Sequence, residues 1–237
     1  MIPKRIHYCW FGGNPLPKEF EKYKKTWRKC CPDYEIIEWN DSNFDINSHP
    51  FMKAAYEAKA WAFVSDYARL KIVYDNGGIY LDTDVELLKN LDFLLESKCY
   101  IGVQQLGNLC TTGLGFGAEK SSSVIQMMLK KYDNLVFDVN YKHELACPTI
   151  NDSVVRELGY NDSEDIVLLE DITVLPCKMV DPISPGNTRN LICSETISIH
   201  HYSASWENKN QQIKRRIINR IGQDKINKIK DLIGRFK

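Results

Sequence analysis

Several things are scarce in this sequence, and each absence narrows the reading. No stretch approaches the roughly 20 apolar residues that a helix needs to cross a bilayer. The opening Met1-Ile2-Pro3-Lys4-Arg5-Ile6-His7 lacks the apolar run of a secretory leader. Eight cysteines are present, but none stands in a C-x-x-C pair, and Cys30 and Cys31 are adjacent, so zinc-site spacing is missing. Reduced thiols and a cytoplasmic location are the simplest expectation. Net charge is absent too: 31 Lys/Arg balance 31 Asp/Glu, which gives no reason to expect a nucleic-acid partner. There is no internal repeat and no low-complexity tract.

What remains is an ordinary globular composition, 43% hydrophobic and 26% charged over 237 residues, long enough for a substantial core. Aromatic residues reach 11%, which suits a site that stacks on rings. The charge is segregated. Residues 208–237 hold ten Lys/Arg against two Asp/Glu, a net of +8, so the preceding 207 residues carry −8. Ile213, Ile217, Ile221, Ile226, Ile229, Ile233 and Phe236 recur at mainly three- and four-residue steps, the pattern of a basic amphipathic helix. Such a tail packs on the acidic body or a second subunit, or lies on a membrane surface. We therefore expect one domain over 1–206 and a helical tail over 207–237, with packing of 208–237 on the body or a second subunit and peripheral contact with the inner face of the cell membrane as its two alternatives.

Along the body, Ile6–Phe11 reads as a strand closed by the turn residues Gly12-Gly13-Asn14-Pro15. An amphipathic helix is predicted over 18–30, a strand over 34–39, and helices over 51–59 and 61–76. Phe63, Tyr67, Leu70 and Tyr74 form the apolar face of the last of these, and Gly77-Gly78 ends it. A strand follows over 79–82, another over 99–104, then a glycine-rich turn at 113–117. Helices are predicted over 122–132 and 150–158, and a late strand around Ile197 and Ile199 leads to His200-His201. Cys147-Pro148 and Pro182–Pro185 read as loops. This β-α-β order predicts an α/β fold with a mostly parallel central sheet flanked by helices.

The chemistry centres on Tyr80-Leu81-Asp82-Thr83-Asp84. In an extended strand Tyr80, Asp82 and Asp84 share one face, at the strand end where open α/β sheets bind ligands. Two carboxylates held so close repel unless a cation joins them, and a hard divalent ion such as Mn²⁺ or Mg²⁺ is the natural occupant. On the preceding helix Ser65 and Arg69 share a face, with Asp66 beside them.

The block SDYARLKIVYDNGGIYLDTDV strongly resembles the glycosyltransferases with a DxD sugar-binding region. These include outer-chain mannosyltransferases of the yeast type, capsular polysaccharide synthesis enzymes, and the catalytic domain of clostridial glucosylating toxins. The opening IPKRIHYCWFGG and the late HHYSASW are similar to that family's first strand and C-terminal motif. The resemblance covers most of 1–206 and implies a GT-A-type nucleotide-sugar-binding fold. It implies that Trp10, with Cys9 beside it, stacks on the nucleotide base, with Trp61 and Ser65 in the same binding set. It implies that Asp66 and Arg69 contact nucleotide and donor sugar, and that Tyr80 and Asp82 lie against ribose and sugar. Asp84 is implied as the direct metal ligand, and Ser205 and Trp206 as partners near the phosphates.

His200 and His201 compete for the third metal position. His201 is favoured because it continues the face of Ile197 and Ile199. The catalytic set is then Asp66, Arg69, Asp82 and Asp84, with Asp82, Asp84 and His201 on the metal.

The expected reaction is transfer of a hexose from a nucleotide-sugar, UDP-sugar favoured, to a glycan or lipid-linked saccharide acceptor in bacterial polysaccharide synthesis, with retention of anomeric configuration. The alternative is a non-catalytic, metal-dependent carbohydrate-binding or scaffold protein on the same fold. Family members often carry Asn before the Gly-Phe element; here Thr111-Thr112 stands instead. Residues 113–118, G-L-G-F-G-A, also satisfy a dinucleotide-binding pattern, but a tight turn near the donor is the preferred reading. His7, His49 and His143 have no partners at ligand spacing and read as structural.

Overall fold

The computed structural model describes residues 1–141, 145–184 and 189–203. The expected tail, the boundary near 207, His143, Ser205 and Trp206 lie outside the described residues. In chain order the elements are β1 (Arg5–Cys9), α1 (Lys18–Cys30), β2 (Glu35–Trp39), α2 (Pro50–Glu57), α3 (Trp61–Asn76), β3 (Gly78–Tyr80), β4 (Val85–Leu87), β5 (Cys99–Val103) and β6 (Cys110–Ala118). They continue with α4 (Ser123–Tyr132), α5 (Cys147–Glu157), β7 (Val167–Leu168), β8 (Thr173–Leu175), α6 (Cys177–Val180) and β9 (Ser198–His200). None of the helices among the described residues is long and apolar enough to cross a membrane.

Seven strands form one sheet in the order β2-β1-β3-β6-β5-β8-β7, and β4 pairs with β9 in a separate ribbon. β1 runs parallel to β2 and β3, β6 runs against β3 and β5, β8 parallels β5, and β7 opposes β8. Five of the seven strands thus share one direction, and β6 and β7 are the exceptions. The expected mostly parallel sheet is present, with an antiparallel strand set into its middle.

The alternation of side chains sorts the core into two layers. Cys9, Tyr80, Ile101 and Phe116 face a cluster with Phe51, Met52, Val64, Leu70, Val124 and Val154, from α2 to α5. Ile6, Tyr8, Ile79, Tyr100 and Leu114 face the other way, onto Trp27 of α1 and Met179 and Val180 of α6. Both faces are covered by helices, as a largely parallel sheet requires. Trp27 is fully buried and its indole N–H donates to the Val85 carbonyl at 2.7 Å, which fixes α1 beside β4.

α1 and α3 have the bounds the sequence predicted, and α3 ends at Gly77, whose φ of +64° suits the C-cap position. His7 is a buried structural residue. The Trp39 indole N–H donates to its Nδ1 at 3.1 Å, so Nε2 carries the proton and donates to the Gly77 carbonyl at 2.9 Å. His49 caps α2 by accepting from the Phe51 N–H.

Three expectations need correction. Residues 113–117 are no turn but the heart of β6, so the dinucleotide-type turn is excluded. Their glycines answer to packing: a Cβ on Gly117 would stand 2.6 Å from Tyr100 Cε1, and one on Gly115 would stand 2.8 Å from Leu81. Cys147-Pro148 starts α5 rather than forming a loop, with proline in the first helical turn, where its missing N–H costs nothing. Finally, the strand expected over 79–82 stops at Tyr80. Asp82, Thr83 and Asp84 lie in a turn closed by the Val85 N–H to the Asp82 carbonyl at 3.0 Å.

Candidate active site

β1 and β3 lie side by side, yet the chain leaves β1 for β2 on one side and returns to β3 on the other. Ligands of open α/β sheets bind at such a reversal, beyond the carboxyl ends of the strands. A cavity of about 460 Å³ sits there, within the usual range for a small-molecule site. The end of β1 supplies Cys9, Trp10 and Phe11, and α3 supplies Trp61, Ser65 and Arg69. Tyr80, Asp82, Thr83 and Asp84 line the next wall, and His200 and Tyr202 close it from the chain's late segment.

Arg69 is the hub. One nitrogen, Nη2, lies 2.8 Å from Asp66 Oδ1 and 3.3 Å from Asp82 Oδ1, and donates to Ser65 Oγ at 3.0 Å. Nε donates to the Ser65 carbonyl at 3.0 Å, and the guanidinium lies 4.9 Å from the centre of the Tyr80 ring. The Tyr80 hydroxyl donates to Asp82 Oδ1 at 3.0 Å. Burial works against the guanidinium's charge, but Asp82, Tyr80 and Asp66 outweigh it and keep it protonated. Burial pushes the Asp66 carboxyl up to about 6, with Arg69 pulling the other way. Asp66 also accepts from Cys147, at the start of α5, a helix whose own N-cap, Ala146, offers no side-chain acceptor. A carboxylate there meets the positive end of the helix.

The two aspartates of the DxD differ. Asp82 opens onto the cavity with a side chain 24% exposed; surrounding protein raises its carboxyl, Arg69 opposes that rise, and the neighbouring Asp84 charge adds to it. Asp84 is gripped by the late segment. Its Oδ1 lies 3.1 Å from His200 Nε2, its Oδ2 accepts the Ser203 N–H at 2.7 Å, and its carbonyl accepts the His201 N–H at 3.0 Å. Burial would raise Asp84, but the facing His200 and the N–H groups of Ser203 and of Asp84 itself hold it well below the usual carboxylate range. Burial lowers the affinity of His200 for its proton, but Asp84, Asp82 and Asp181 together outweigh it and raise that affinity.

One atom each from Asp82, Asp84 and His200 lies within 4.8 Å of the others. The two carboxylates suit a hard divalent ion such as Mn²⁺ or Mg²⁺, and the added imidazole nitrogen favours Mn²⁺ of the two. A positive ion would also relieve the crowding of Asp82 against Asp84. The residues fit such an ion.

His201, expected as the third ligand, is elsewhere. Its Nε2 lies 2.8 Å from Glu86 Oε2 and its ring stacks on Tyr23 at 4.5 Å. The reason is strand parity. His201 does continue the Ile199 side of β9, but the group pointing to Asp84 is on the alternate side, with His200 opposite Val85. Trp10 lines the cavity, its indole N–H donating to the Asn14 carbonyl at 2.6 Å and its ring edge-on to Phe20. Trp61 lies beneath Gly12, where any Cβ would come within 2.8 Å of its ring. Cys9 is a packing residue whose thiol burial pushes up to about 12. Thr112, in place of the family's frequent Asn, is spent inside the fold: its N–H and hydroxyl both bond Asn151 Oδ1, near 3 Å. Tyr202, noted only within HHYSASW and given no place in the expected site, stands two residues after His200 and lines the cavity.

Residues 17–101 match the glycosyltransferase sugar-binding region containing DXD motif. An uncharacterized glycosyltransferase of Acanthamoeba polyphaga mimivirus is 26% identical over 215 residues, which is 87% of this chain and 84% of the viral protein. Inositol phosphoceramide mannosyltransferase 3 of Schizosaccharomyces pombe is 26% identical over 146 residues, 60% of this chain and 40% of that relative. The chain thus spans less than half the length of the yeast enzyme. Among solved structures, PaToxG glycosyltransferase superposes with a TM-score of 0.52 at 20% identity, over 66% of this chain and 69% of that one, a likeness of fold.

Proposed function

For a chain that is a glycosyltransferase with the DXD sugar-binding region on a GT-A-type fold, we propose transfer of a hexose from a nucleotide-sugar, with a divalent cation held by Asp82, Asp84 and His200. The observation that carries this reading is the convergence of those three side chains on one wall of a cavity that also presents Trp10 and Trp61. The donor of first choice is a UDP-sugar, on the family resemblance alone. The relative from Schizosaccharomyces pombe is named a mannosyltransferase, so GDP- and UDP-linked mannose belong in the same panel. The acceptor in this reading is a glycan or lipid-linked saccharide in bacterial polysaccharide synthesis. The proposed location is the cytoplasmic face of a membrane, reached through the basic segment 208–237.

When bound, the cation neutralises charge on the departing nucleoside diphosphate. The chain's own residues prepare the site. Arg69 holds Asp66 and Asp82 in line through Nη2 and opposes the rise that burial imposes on both carboxyls, while its Nη1 has no hydrogen-bond partner among the described residues and the side chain lines the cavity. Tyr80 and Ser203 fix one oxygen each on Asp82 and Asp84. Trp10 and Trp61 offer ring surface for the base. Asp66 is paired with Arg69, and the Cys9 and Cys147 thiols are buried and raised to about 12, so none of these is poised as a covalent nucleophile. That supports retention by a front-face route.

The test is a panel of UDP- and GDP-hexoses, assayed for hydrolysis and transfer with Mn²⁺, with EDTA, and with Asp84→Ala. The reading expects turnover that EDTA abolishes and that the variant lacks. Metal-independent turnover, or an undiminished Asp84→Ala enzyme, overturns the site. Mn²⁺ binding with no turnover of any donor supports the non-catalytic binding alternative.

A further inference from the structure

A histidine that binds a metal through one ring nitrogen is usually oriented by a hydrogen bond from the other. His200 departs from this. Its Nε2 faces Asp84, but its Nδ1 is buried with no hydrogen-bond partner among the described residues. What contacts the imidazole instead is the Tyr202 ring, at 4.1 Å between centroids and tilted by 50°. Tyr202 has φ of +50°, a conformation that a bulky residue adopts only when its surroundings impose it.

Those surroundings are visible. The Tyr202 hydroxyl donates to Asp181 Oδ2 at 2.8 Å. Asp181 is fully buried, and the same oxygen accepts the Gln105 N–H at 2.7 Å. Asp181 caps the end of α6, its N–H bonding the Cys177 carbonyl, and Gln105 follows β5. A buried carboxylate anchored to the sheet therefore holds a tyrosine, and the tyrosine ring braces the imidazole.

We propose that Asp181 and Tyr202 are positioning residues for His200, an anchored aromatic wall against an imidazole whose Nδ1 has no hydrogen-bond partner among the described residues. The proposal rests on His200 being a metal ligand. It gives this site a mechanical link to α6 and the end of β5, outside the cavity's own lining.

The test measures Mn²⁺ affinity of the full chain by electron paramagnetic resonance of the free ion, without substrate. Tyr202→Leu, which removes the wall, is expected to weaken Mn²⁺ binding on the order of tenfold. Tyr202→Phe, which removes the hydroxyl, and Asp181→Leu, which removes its acceptor, break the anchor and are expected to weaken it a few-fold each. The double variant is expected to be no worse than either single one, because both break one bond. In turnover, excess Mn²⁺ should restore kcat to Tyr202→Phe. A purely structural role would lower thermal stability without moving the Mn²⁺ constant.

Wild-type Mn²⁺ affinity in Tyr202→Leu, or additive losses in the double variant, overturns the proposal, provided that His200→Ala does weaken binding. If His200→Ala binds Mn²⁺ as wild type does, the ligand assignment itself has failed. Should the leucine variant not fold, the phenylalanine variant and the double variant still decide the question.

Discussion

His200 Nε2 meets Asp84 Oδ1 at 3.1 Å across 116 positions of sequence, and Ser203 closes the same carboxylate from its other oxygen. The last described segment of the chain thereby completes a site begun by the DxD.

The two adjacent histidines should separate cleanly. His200→Ala is expected to lower kcat/KM on the order of a hundredfold, roughly 3 kcal/mol, because it strips a charged partner from Asp84 and a ligand from the proposed cation. His201→Ala removes an exposed contact with Glu86 and a stack on Tyr23. Its expected cost is under about 1 kcal/mol of stability, with turnover intact. Steady-state kinetics on the two variants checks this.

Arg69 has no adequate substitute. Arg69→Met leaves Asp66 and Asp82 as buried, unneutralised carboxylates beside Tyr80. We expect a loss of about 3–5 kcal/mol in urea unfolding together with lost turnover. Arg69→Lys should recover part of the stability but little activity, since an ammonium cannot hold Ser65, Asp66 and Asp82 in one fixed fork.

His7 makes stability sensitive to acid. Burial lowers its affinity for a proton, and both ring nitrogens are already used by the neutral form. A folded-state value below the ordinary 6.5 means that the unfolded chain takes up the proton first. Stability from this residue is therefore whole above about pH 6.5 and falls as pH drops below it, by at most about 1.4 kcal/mol per pH unit. Subtracting the pH–stability curve of His7→Gln from that of the wild type should reveal this slope and cancel the other titrating groups. A flat difference between pH 5 and 7 would count against the assigned tautomer.

Gly78 guards the same spot. Its φ is +113°, and an added Cβ would stand 2.7 Å from His7 Nε2. Gly78→Ala combines backbone strain with overpacking and should cost on the order of 1–3 kcal/mol, read as a lowered urea midpoint with unchanged m-value.

The stereochemical outcome is open to direct observation. If no side chain acts as a covalent nucleophile, ¹H NMR of the first-formed sugar product should show the donor's anomeric configuration, and no glycosylated protein should accumulate in intact-mass spectra. An inverted product removes the retaining assignment.

Local sequence carried a good part of this molecule. The spacing of apolar residues and the closing Gly77 set α3 to its residue bounds, because helix periodicity and capping are short-range effects. It also placed Ser65, Asp66 and Arg69 on one helix and the DxD at the end of a strand; Ser65, Arg69 and the DxD do line the cavity, with Asp66 held behind them on Arg69. What it could not carry were contacts set by distant partners. The glycines of 113–117 look like a turn in isolation; only Tyr100 and Leu81, packed against them, make them a strand. His200 and His201 are equivalent as letters in a sequence, and the pairing of β9 with β4 decides which one faces Asp84. Helix ends and polar clusters within a few residues obey local chemistry, whereas register, and with it the side to which a strand residue points, is fixed by the neighbouring strand.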